Sequence, residues 1–130
     1  MDEVSGTLLS LEFDRSTITM VRHMVTDSAR NAGLTGMALE DYVLAVHEAV
    51  TNAVRYGNAP RGIAMWREPG VLRCEVTDSG PGIPDRSLHR KRLSRFDFGG
   101  RGIWLMHRLS DVNIRTGPEG TRVLLSTPVS

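Results

Sequence analysis

Glu48 and Asn52 stand four residues apart in the stretch HEAVTNAVRYG, His47 to Gly57, set among alanines and valines. On a helix that spacing puts both side chains on one face, one turn apart. Neither residue improves the helix, and asparagine is a poor helix former. A carboxamide oxygen is a hard ligand suited to Mg2+, which takes one or two protein oxygens and completes its shell with phosphates and waters. A carboxylate one turn earlier stands where it would accept a proton from an attacking hydroxyl or water. The plainer alternative is a solvated polar face, with Glu48 and Arg55 as surface charges. His47 is offset from Glu48 by about 100° around the helix, so the two do not share a role.

Asp78 ends the stretch VLRCEVTD. In a strand, Leu72, Cys74, Val76 and Asp78 share one face and Arg73, Glu75 and Thr77 the other. The first set is the apolar one, so the Asp78 carboxylate is aimed at the core layer. A carboxylate there needs donors. They come from a local turn that it caps, or from a ligand N–H such as the exocyclic amine of adenine. Gly80 and Gly82 follow in DSGPGIP, where glycine either lets backbone pass close to a flat group or simply makes a tight turn. GGRGIWLMHRL opens a helix with Gly99, Gly100 and Gly102. Helix-start N–H groups free of side chains suit a phosphate, and a hinge before a helix is the other reading.

The elements that must position these groups follow from periodicity. TLLSLEFD (7–14) alternates as a half-buried strand. A helix after it carries Val21, Met24, Val25, Ser28, Ala29 and Ala32 on one side, with Asp14 or Ser16 as its cap and Gly33 at its end. Thr35 caps a second helix that runs to Tyr56 with Gly57 as its stop, its apolar stripe being Val43, Val46, Val50, Ala53 and Val54. GIAMWRE and VLRCEVTD form a hairpin across Pro69-Gly70, a type II pair. RGIWLMHRLSD is a third helix, and VNIRT and TRVLLSTPV are strands joined by GPEG. The order β-α-α-β-β-α-β-β, with strands arriving in pairs, predicts a two-layer α/β (α+β) sandwich: a mixed, mainly antiparallel sheet with three helices on one face. The polar stretch DRSLHRKRLSRFDFGG before the third helix has the length of a lid or binding segment. Trp66, Trp104 and Cys74 read as packing residues.

The chain has 130 residues, 40% of them hydrophobic and 24% charged, with a net charge of +1. That suits a single domain over 1–130. The near-zero charge and the lack of a basic helix disfavour nucleic acid as a partner. One cysteine leaves no intramolecular disulfide or Cys-cluster metal site. No apolar run approaches a membrane span and the N-terminus lacks a signal-peptide pattern, so a cytoplasmic location is expected.

The order of these motifs is informative as a set. E-x-x-x-N on a helix, D-x-G-x-G after a strand, a polar segment, G-x-G at a helix start and Gly-Thr opening the last strand resemble the GHKL ATPase superfamily, with its Bergerat-type ATP-binding fold. The wording HEAVTNAVRYG and the ending EGTRVLLS look most like its anti-sigma factor serine/threonine kinase branch. The resemblance implies ATP and Mg2+ as cofactors. Asn52 would coordinate Mg2+ and Glu48 would be the catalytic base. Asp78 would bind the adenine amine, with Gly80 and Gly82 beneath the base. Gly100 and Gly102 would bind phosphates, and Thr121 would help hold Asp78 and the adenine through a water. The implied partners are a sigma factor and a small anti-sigma-factor antagonist, in a possible homodimer. A non-catalytic nucleotide-dependent module and a stand-alone ATPase are the other functions this motif set accommodates. Ile103-Trp104 stands after Gly102 where several relatives carry another glycine.

Overall fold

In a computed structural model, residues 6–81 and 100–129 are described. Gly82 and the basic segment 85–98 lie outside them. Among the described residues five strands form one sheet: β1 (Thr7–Glu12), β2 (Gly62–Glu68), β3 (Val71–Asp78), β4 (Asp111–Gly117) and β5 (Gly120–Pro128). Their spatial order is β1-β2-β3-β5-β4. Each neighbouring pair is antiparallel, as expected of a mainly antiparallel sheet, and among the described residues no parallel pair occurs. The reason lies in the connections: both hairpins close locally, and β3 meets β5 rather than β4. Gly70 takes a φ of 79° in the β2–β3 turn, the left-handed value that its type II position requires.

Among the described residues three helices cover one face: α1 (Ile18–Asn31), α2 (Gly36–Tyr56) and α3 (Gly100–Leu109). α1 meets β1, α2 meets β3 and β5, and α3 meets β4 while packing along α2. A 3-10 turn, Arg15–Thr17, leads into α1, and Asp14 and Thr17 close a reciprocal cap on it. The Ser16 amide donates to Asp14 at 2.8 Å and the Asp14 amide donates to the Thr17 hydroxyl at 3.0 Å. Thr35 holds the N-cap position of α2, but its hydroxyl makes no cap hydrogen bond.

The core follows the periods read in the sequence. Val21, Val25 and Ala29 of α1, and Val43, Val46, Val50 and Ala53 of α2, are buried against Ile63, Met65, Leu72, Cys74, Val76, Val123 and Leu125 of the sheet. The valine, leucine, isoleucine and methionine side chains among these contribute about 1.5–3 kcal/mol each when fully buried. Tyr42 is fully buried too, and its hydroxyl donates to the Leu125 carbonyl at 2.9 Å, tying α2 to β5. Burial of the Cys74 thiol pushes its pKa far up, which suits inert packing.

One packing expectation is corrected, and the two tryptophans pack at the margins of the core. Met24 is 36% exposed, because it sits at the rim of the α1 stripe rather than in it. Trp66 lies half-buried on the sheet face away from the helices, its indole N–H donating to Glu68 at 2.9 Å. Trp104 is half-buried with the Arg108 guanidinium 5.6 Å from its ring centre. No helix among the described residues is long and apolar enough to cross a membrane.

Candidate functional site

α2 runs beside α3 such that Gly102 faces Glu48 and Asn52. A Cβ at Gly102 would stand 3.1 Å from Glu48 Oε1, 3.1 Å from Asn52 Nδ2 and 3.3 Å from Asn52 Oδ1. The absence of a side chain there is what gives the two polar groups their room. Both lie half-buried on the α2 face turned to α3, and so are not part of a fully solvated face. Gly100 is the first residue of α3, one turn-fraction before Gly102. His47 points instead to the seam with α1, beside Arg22, Val25 and Val43. Burial there lowers its pKa, helped by Arg22 and opposed by Glu48.

The second half of the site is built at the far end of α2. Gly57 closes the helix with a φ of −99°, so it is not a left-handed terminator. Its demand for glycine is steric. A Cβ there would collide with the Asp78 carboxyl group, 2.6 and 2.7 Å from its two oxygens. Gly80 then lies against Gly57: a Cβ at Gly80 would stand 2.7 Å from the Gly57 Cα and 2.9 Å from the Asn58 nitrogen. The Ser79 amide donates to the Asn58 carbonyl at 2.9 Å, locking the end of β3 onto the turn after α2.

Asp78 is half-buried, and its Oδ1 accepts the Gly80 amide at 2.8 Å. Burial raises its pKa above the ordinary carboxylate value. The Gly80 amide, the Arg61 charge and the Thr121 amide pull it back. Two N–H donors do not exhaust a carboxylate, which has about four acceptor positions, so capacity remains for a ligand N–H. Thr121 pairs with Asp78 across β3 and β5, is buried, and shares a 2.8 Å hydroxyl–hydroxyl hydrogen bond with Thr116. Gly120 beside it has a φ of 151°, and a Cβ there would strike the Asp78 carbonyl oxygen. An open concavity of about 330 Å³ borders this pair on its outer side, lined among others by Thr77, Arg115, Glu119 and Arg122.

The fold therefore gathers the expected residues in two groups joined by one helix. Glu48, Asn52 and Gly102 form one; Asp78, Gly80 and Thr121 form the other. Two participants were not foreseen. Gly57 reads in sequence as a helix stop, and its contact with Asp78 is long-range. Arg61 donates to the carbonyls of Ala53 at 2.7 Å and Gly57 at 3.0 Å. A cation just beyond a helix C-terminus is the one local signal that would have pointed to it.

Solved structures carry the same architecture. The chain is similar to the histidine kinase domain of the blue-light activated histidine kinase from Erythrobacter litoralis EL346, at 17% identity and a TM-score of 0.59, covering 99% of this chain and 70% of that one. It is also similar to the mycobacterial sensor histidine kinase MprB, at 16% identity and a TM-score of 0.58, covering 92% of this chain and 96% of that one. At such identities the likeness is one of fold. No curated protein matches the sequence. Residues 11–127 match the model of the histidine kinase-like ATPase domain, a span that holds both groups of the site, and the chain belongs to that family.

Proposed function

We propose that this domain binds ATP with Mg2+ between the two groups and transfers the terminal phosphoryl group to a serine or threonine hydroxyl of a small protein. The observation that carries the reading is the placement of Gly102 against Glu48 and Asn52. It sets a base and a hard oxygen ligand side by side against a helix start, where phosphate is favoured. The Asp78 carboxylate, with acceptor capacity to spare, fits an adenine amine at the other end. Among the described residues no three His, Cys, Asp or Glu side chains converge. A Mg2+ ion held through Asn52 would take its other ligands from phosphate and water, and would supply charge neutralisation of the phosphates.

The chain's own residues would then do the following. Asp78 orients the base. The start of α3, at Gly100 and Gly102, offers helix N–H groups to the phosphates beside Asn52. Glu48 accepts the proton of the attacking hydroxyl as its oxygen bonds to the terminal phosphorus, while the bond to the bridging oxygen breaks and ADP leaves. The wording of HEAVTNAVRYG and EGTRVLLS supports placing the domain among anti-sigma factors. There the acceptor is an antagonist protein, and a sigma factor is the partner held by the same domain.

The test is transfer of labelled phosphate from ATP to a candidate antagonist, with nucleotide binding measured in parallel. Glu48→Ala is expected to lower transfer by about 10²–10⁴-fold while binding MgATP near wild-type strength. Asn52→Ala is expected to lose MgATP binding itself. Equal transfer by wild type and Glu48→Ala would remove the base assignment. Binding without transfer to any acceptor would leave a nucleotide-dependent binding module, and phosphate release without an acceptor a stand-alone ATPase.

A further inference from the structure

Arg61 stands just before β2, below the C-terminus of α2. Its Nε donates to the Ala53 carbonyl at 2.7 Å; its Nη2 donates to Gly57 at 3.0 Å and reaches Val54 at 3.4 Å. The last carbonyls of a helix have no partners within it, and a planar guanidinium spans several at once in a way an ammonium does not. The Arg61 carbonyl in turn accepts the Phe13 amide at 3.0 Å, so the residue is fixed from the β1 side as well. The carbonyl it grips at Gly57 belongs to the residue on which the Asp78 carboxyl rests and against which Gly80 packs.

We propose that Arg61 is a positioning residue for the nucleotide: by clamping the end of α2 onto the turn beneath Asp78, it fixes the separation between the phosphate end of the site, Glu48 and Asn52, and its adenine end. The inference rests on reading the site as one for MgATP. Arg61 acts through the α2 terminus and the turn rather than through the reacting groups. It also supplies a positive charge that favours the ionised, acceptor form of Asp78 against the opposing effect of burial. The other groups acting on that carboxyl are the Gly80 and Thr121 amides. The Gly57 end of α2 brings backbone only, while Arg115, Glu119 and Arg122 line the concavity on the outer side.

The experiment compares wild type, Arg61→Met and Arg61→Lys in two measurements. The first is MgATP affinity by calorimetry from pH 5 to 8. The second is amide hydrogen exchange without nucleotide. Arg61→Met is expected to bind about tenfold more weakly, as a lost charge-assisted hydrogen-bond set implies. Its acid-side loss of binding moves to higher pH, and its Gly57, Ser79 and Gly80 amides exchange faster. Arg61→Lys keeps the charge but not the fork, so it should restore the position of the acid limb and only part of the affinity. Restoration of the pH position by lysine is the readout that simple loosening of the fold would not give. Wild-type affinity, pH profile and exchange in Arg61→Met overturn the role. If Arg61→Met does not fold, Arg61→Lys decides: reduced affinity with faster exchange at those amides supports the clamp, and wild-type values for both overturn it. A wild type that binds no nucleotide overturns the MgATP reading and this role together. A wild type that binds, beside an unchanged variant, overturns this role alone.

Discussion

The Asp78 carboxyl group rests against the α-carbon of Gly57, in the place a side chain at 57 would occupy. The end of α2 and the end of β3 are thereby fitted to each other through a missing methyl group. Because Gly57 has an ordinary negative φ, the effect of filling that place is steric alone. Gly57→Ala is expected to cost about 1–3 kcal/mol, the usual penalty for overpacking. It should also displace Asp78 and weaken adenine nucleotide binding. Chemical denaturation and calorimetry on the same sample check both.

Asp78 has a cost of its own in the empty protein. Burial holds its carboxyl pKa above the ordinary value, so the folded chain keeps that proton more tightly than the unfolded one. Stability from this group is therefore full below the ordinary carboxylate range and falls as pH rises through the folded value. Asp78→Asn, which carries no charge, is expected to melt above wild type at pH 7, with the gap narrowing as pH falls toward that range. The same variant should lose adenine nucleotide affinity on the order of tenfold or more, since the acceptor of the amine is weakened. A melt at pH 7 below that of wild type would reverse the sign of this argument.

Gly102→Ala separates folding from site geometry. Alanine is favoured over glycine inside a helix by about 1 kcal/mol, and the atoms its methyl group would meet are the ends of the Glu48 and Asn52 side chains, which can swing aside. Thermal stability should be unchanged or higher, while MgATP affinity drops because those two groups no longer hold their places. Unchanged affinity would mean that the space at Gly102 serves helix packing only.

Tyr42→Phe is the control remote from the site. Its hydroxyl donates to the buried Leu125 carbonyl, which also sits in the sheet ladder, so its removal costs the net value of one hydrogen bond, about 0.5–1.5 kcal/mol. A lower unfolding free energy with unchanged nucleotide affinity is expected. A parallel loss of affinity would show that α2 is not held independently at its two ends.

The periods of α2 and β3 made Glu48, Asn52 and Asp78 legible, because each periodicity states which face a residue occupies. The hairpins β2–β3 and β4–β5 also followed from the turn residues between their strands, whereas the pairing of β3 with β5 did not. What periodicity does not encode is contact between distant segments. Gly102 stands out as glycine at a helix start, yet its closest neighbours are the side chains of Glu48 and Asn52, fifty or more residues earlier. Gly57 reads locally as a helix stop and Arg61 as a cation beyond a helix end, and their link to Asp78 appears only once β3 is laid beside the end of α2. Met24 was misplaced for a related reason: at the rim of a helical stripe, the neighbouring element decides burial, and among the described residues Met24 is left 36% exposed.

The joining of both halves of the site by α2 makes length, rather than composition, the guarded property of this helix. Between Asn52 and Gly57 the helix acts as a ruler, with a rise of about 1.5 Å and a rotation of about 100° per residue. A substitution at exposed Arg55 leaves both scales untouched. A single inserted residue in that interval would turn Glu48 and Asn52 away from Gly102, or Gly57 away from Asp78, with every side chain of the original set still present. Such a chain would keep all of its motifs and lose the distance between them.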